Sequence, residues 1–92
     1  MFRIIDKGGS GKTARLMLLA KEYNGIIVCG NPDAFAYKAK AYGFNDLRFI
    51  SYSDYMLRPY DYRDETIFID EVDGLMKALP GKVQGYCLTP DD

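Results

Sequence analysis

Two short stretches of the chain hold residue types that can do chemistry together. The first is DKGGSGKT, residues 6–13. Phosphate binding needs several backbone N–H groups converging on one point, and only a loop of small residues lets the main chain wrap that closely. Gly8, Gly9, Ser10 and Gly11 supply such a loop, and a helix following it would add its N-terminal N–H groups and dipole. Lys12 can then reach β- and γ-phosphates as a point charge, while the Thr13 hydroxyl suits a Mg²⁺ ion bridging them. The second stretch is IFIDE, residues 67–71, an apolar run ending in the carboxylates Asp70 and Glu71. An acidic pair after a strand also commonly starts a helix, and Asp70 or Asp73 would cap one well. Its place at the carboxyl end of a strand, where ligands bind in open α/β sheets, gives the pair a second meaning.

The elements that must position these residues follow from pattern and punctuation. Residues 2–5 form a short apolar run closed by glycines, which suits a buried strand entering a turn. From 13 to 23 the apolar positions recur at helical spacing, and Asn24-Gly25 ends the run. Residues 26–29 read as a second strand, being β-branched-rich and too short for a helix. Asn31-Pro32-Asp33 opens the next helix: a side-chain acceptor, a proline where the missing N–H costs nothing, and an acid at the positive dipole end. That helix runs through Tyr42 and stops at Gly43. A third strand is expected over 47–52, a helical turn over 53–57, and a polar, Tyr-rich surface loop over 58–65. A fourth strand covers 66–69, a short helix runs on through Leu79, and a weaker fifth strand covers 83–89. Alternating strands and helices imply parallel βαβ units. The expected fold is therefore a single α/β domain over 1–92, three-layer α/β/α with a mainly parallel five-stranded sheet.

Composition bounds the partners. Twelve Lys and Arg against thirteen Asp and Glu give a formal charge of -1, so no global basic field favours nucleic acid or anionic lipid. Tyr52, Tyr55, Tyr60 and Tyr62 interleave with Arg58 and Arg63 in a way that could stack on bases, but Asp54, Asp61 and Asp64 share the stretch. Packing or a protein contact is the favoured reading there. With no histidine and no CxxC, a zinc site or a His-based triad has no support, and Cys29 and Cys87 are expected as small buried hydrophobes. The glycine loop follows the N-terminus at once and no apolar run reaches spanning length, so the cytoplasm is the expected compartment and no membrane partner is expected.

Residues 6–13 resemble the Walker A motif of P-loop nucleoside triphosphatases, GxxxxGK[ST], with Asp6 in place of the first glycine. Residues 67–71 are similar to Walker B. The resemblance implies ATP as nucleotide, nucleotide binding by Gly8 to Thr13, Mg²⁺ held by Thr13 and Asp70, and catalysis by Lys12 with Glu71 polarising the attacking water, as in the additional-strand class. The order of segments, with Thr89 as a sensor, looks like a minimal helicase or phage terminase ATPase core, which implies a phage or mobile-element origin. Such cores take an arginine finger from a second domain or subunit, so a homo-oligomer or a larger protein partner is implied. KGGSGKT also resembles the deviant Walker A of partition-type dimeric ATPases, although Cys29-Gly30-Asn31 stands where those families carry aspartates. A thymidine-kinase-like reading fits the loop and the acidic pair but lacks cysteines for that family's zinc-bearing segment. The non-enzymatic alternative is a module that binds nucleotide or phosphate as a regulator or antagonist of a larger ATPase.

Overall fold

The computed structural model describes residues 2–5 and 11–88. Gly8, Gly9 and Ser10 of the expected loop lie outside the described residues, as do Asp6, Lys7 and Thr89. The chain runs α1 (Lys12–Glu22), β1 (Ile26–Cys29), α2 (Pro32–Ala41), β2 (Arg48–Ser51), α3 (Tyr52–Leu57), a 3₁₀ turn (Pro59–Tyr62), β3 (Ile67–Ile69) and α4 (Val72–Ala78). The strands form one parallel sheet in the order β2-β1-β3, with Ile26 opposite Arg48 on one side and Ile67 on the other.

β1 is buried at all four positions, which explains why it reads as an unbroken apolar run instead of an alternating one. Successive side chains leave a strand on opposite faces. Ile27 and Cys29 therefore join Met17 and Ala20 of α1, Ala39 of α2 and Phe68 of β3 in one core layer. Ile26 and Val28 join Ile50 in the other, sealed by Tyr52, Tyr55 and Tyr62. Tyr55 and Tyr62 meet with ring centroids 5.8 Å apart, so three of the four tyrosines of the Tyr-rich stretch serve the core, while Tyr60 is exposed. α2 starts as its sequence demands: the Asn31 side chain accepts from the Ala34 N–H at 3.1 Å, ahead of Pro32.

The expected five-stranded sheet is not what forms: among the described residues the sheet has three strands. Residues 2–5 make no strand, with Phe2 56% and Ile5 87% exposed, and the Phe2 ring instead lies 5.4 Å from that of Tyr23. An apolar run becomes a strand only where a neighbour pairs its backbone, and composition does not reveal that neighbour. Residues 83–88 are also irregular. Gly85 has no side chain to pack within the run, the Tyr86 hydroxyl hydrogen-bonds Asp73 of α4, and Leu88 is 68% exposed. Cys87 is accordingly exposed, against the expectation of burial, whereas Cys29 is buried as expected. Tyr52 does not close the third strand but opens α3, because Ser51 turns into an N-cap whose side chain accepts from the Asp54 N–H at 3.1 Å. Among the described residues, no helix is long and apolar enough to cross a membrane.

Candidate functional site at the carboxyl rim of the sheet

Three parallel strands point their carboxyl ends to the same rim, so whatever follows Cys29, Ser51 and Ile69 gathers there. Asp70 is the first residue beyond β3, and its N–H still bonds the Val28 carbonyl at 2.9 Å. This last rung carries the half-buried Asp70 side chain on the sheet's framework instead of on a free loop. Glu71 then turns sharply, with φ 57 and ψ 80, a left-handed conformation that a residue with a Cβ adopts at a cost of about 1–3 kcal/mol. It occupies the N-cap position of α4 but makes no side-chain bond to that helix. The N-cap position thus falls to Glu71 and not to Asp70 or Asp73, the expected caps; Asp73 lies in the first turn of α4 and is engaged by Tyr86.

α1 brings the second component. Gly11, with φ 84, turns the chain into the helix, a conformation glycine reaches without steric cost. Lys12, the first helical residue, extends its Nζ to 3.7 Å from Glu71 Oε1. Both side chains are partly exposed, so this single-pronged pair contributes at most about 1 kcal/mol and can be exchanged readily for another anion.

The electrostatics single out Asp70. Burial, reinforced by the neighbouring charge of Glu71, holds its carboxyl above the usual carboxylate value, while Lys38 and Lys12 pull the other way. Burial and the Asp70 charge push the Cys29 thiol up to about 11, so this cysteine stays a neutral packing group. The phenol of Tyr52 is raised to about 12, first by burial and then by Asp70, Cys29 and Glu71. A cation brought to this rim would relieve the crowding of Asp70 and Glu71.

Of the residues singled out in the sequence, Lys12, Asp70 and Glu71 meet at one rim, with Gly11 and Thr13 flanking Lys12 in sequence. Among the described residues, no group of three His, Cys, Asp or Glu side chains is placed to hold a metal ion. Two neighbours escaped the sequence reading in these roles: Lys38, which acts electrostatically on Asp70 from α2, and Tyr52. A lysine on a helix face and a tyrosine after a strand carry no local signal of such a destination. A depression of about 670 Å³ lies elsewhere, along the β2 edge between Asp33, Arg48, Asp54 and Glu65. No protein-family model matches the chain, and neither does any curated protein or solved structure.

Proposed function

We propose that the chain binds a nucleoside triphosphate, ATP in the first instance, together with Mg²⁺ at the carboxyl rim, and hydrolyses it as a minimal P-loop ATPase. The observation that carries this reading is the approach of Lys12 to Glu71, 3.7 Å apart beside the half-buried Asp70, although 59 residues of sequence separate the pair (71 − 12). In this reading the phosphates take over Lys12 from Glu71 and lie against the N–H groups at the start of α1. Thr13 and Asp70 are the hard oxygen donors that would hold Mg²⁺, which when bound would neutralise phosphate charge. Released from Lys12, the Glu71 carboxylate would accept a hydrogen bond from the attacking water and orient it. A second reading, binding without hydrolysis, draws on Asp6 at the first position of the loop and on the resting engagement of Glu71 by Lys12.

Nucleotide-dependent melting tests both readings. MgATP at 100 times its Kd should stabilise the fold by about 2.7 kcal/mol, a rise in Tm on the order of 10 °C for a domain of this size. Glu71→Gln should keep that rise and lose phosphate release by about 100-fold or more. Equal release by wild type and variant would remove Glu71 from the mechanism, and absence of any shift with nucleotide, with or without Mg²⁺, would remove the site.

A further inference from the structure

The acidic turn is gripped from beneath by a residue the mechanism above does not use. We propose that Tyr52 is the positioning residue of this site, its hydroxyl fixing the backbone of Asp70 and Glu71 so that both carboxylates face Lys12; this rests on the functional reading just given.

The geometry is specific. The Tyr52 hydroxyl donates to the Asp70 carbonyl oxygen and lies 3.2 Å from that of Glu71. The peptide of Asp70 is therefore held at both ends, its N–H by Val28 of β1 and its carbonyl by Tyr52 of α3. The Glu71 carbonyl in turn accepts from the N–H groups of Gly74 and Leu75, at 2.9 and 3.2 Å, and so starts α4. Tyr52 thus ties together the ends of all three strands at Glu71, among the described residues the one that holds a left-handed backbone without being glycine or asparagine. Such a conformation persists only where its surroundings over-determine it.

The slot for the ring is made by a glycine inside α4. A Cβ on Gly74 would stand 2.8 Å from the Tyr52 hydroxyl oxygen and 3.1 Å from its ring carbon Cε2. Helix propensity alone would favour alanine at such a position, so the glycine makes sense as clearance for the phenol. Gly30, just past β1, would offer the same ring carbon only ordinary contact at 3.5 Å. A tyrosine that merely filled the core would not need its hydroxyl aimed at these two carbonyls, because its ring already packs with Ile26, Val28 and Ile50.

Tyr52→Phe keeps the ring and removes the grip. The expected result is a folded protein with its MgATP-dependent Tm rise retained, nucleotide KM within about threefold of wild type, and kcat lower by about 10- to 100-fold. In the nucleotide-free protein, NMR should show Glu71 losing the strong intraresidue amide-to-α-proton cross-peak that a left-handed residue gives. Gly74→Ala, which retains the phenol but displaces it, should do the same and stands in if the first variant does not fold. An unchanged left-handed signature at Glu71 in the folded variant, or a kcat equal to wild type, would overturn the proposal. If wild type neither binds nor hydrolyses nucleotide, the functional reading falls while the NMR comparison still decides whether Tyr52 fixes the turn.

Discussion

The two ends of the sheet each carry a base–acid pair, and they are built to opposite specifications. At the amino end, Arg48 grips both carboxylate oxygens of Glu65 at 3.2 Å and the Asn24 carbonyl at 2.7 Å, joining the entries to all three strands. At the carboxyl end, Lys12 touches one oxygen of Glu71 at 3.7 Å. A planar guanidinium spends its donors on fixed acceptors, whereas an ammonium on a flexible stem can be handed to another anion. One end is closed by its contacts, and the other is held ready by them.

That contrast can be broken by mutation, beginning with the largest effect. Gly25→Ala at the amino end would place a Cβ 2.6 Å from Cε2 of the buried Phe68 and 3.0 Å from the Thr66 carbonyl oxygen. It should cost about 3 kcal/mol in denaturant-induced unfolding and lower Tm by about 10 °C or more. Next, Arg48→Ala should lose about 1–2 kcal/mol, while Lys12→Ala at the other end should change nucleotide-free stability by less than about 0.5 kcal/mol and abolish the MgATP-dependent Tm rise. Equal stability losses at the two ends would erase the distinction.

The smallest effect has the opposite sign. The Asp70 carboxyl is raised in the fold above its ordinary 3.8, so the native state binds more protons than the unfolded one between the two values. Its contribution to stability is present below the unfolded value and is lost as pH rises through the folded one. Asp70→Asn should flatten that part of the pH–stability curve and slightly stabilise the nucleotide-free protein at neutral pH, while weakening Mg²⁺-dependent stabilisation. A variant that is less stable at neutral pH would show that the rim, like the amino end, is built for closure.

Legibility in the sequence followed the range of the interactions. The start of α2 was readable because Asn31, Pro32 and Ala34 satisfy one another within one turn. The strand at Ile26–Cys29 was readable because burial on both faces leaves an apolar run, and that at Ile67–Ile69 because a buried Phe68 lies between two half-buried isoleucines. Residues 2–5 and 83–88 also hold short apolar runs but join no strand of the sheet among the described residues, and pairing is a property of the sheet, not of the segment. Lys12, Asp70 and Glu71, the candidate site residues, were picked out by type and spacing, and the fold brings Lys12 to Glu71. Tyr52 did not, since its importance depends on carbonyls 18 and 19 residues away and on a glycine within α4.

The placement of β1 between two later strands governs how the chain can acquire its shape. Ile26 must wait for Arg48 and then for Ile67, each delivered by a crossover instead of a hairpin. A polypeptide leaving the ribosome therefore cannot complete this sheet until Ile69 has emerged, and the slow step in its maturation should be the arrival of the last strand.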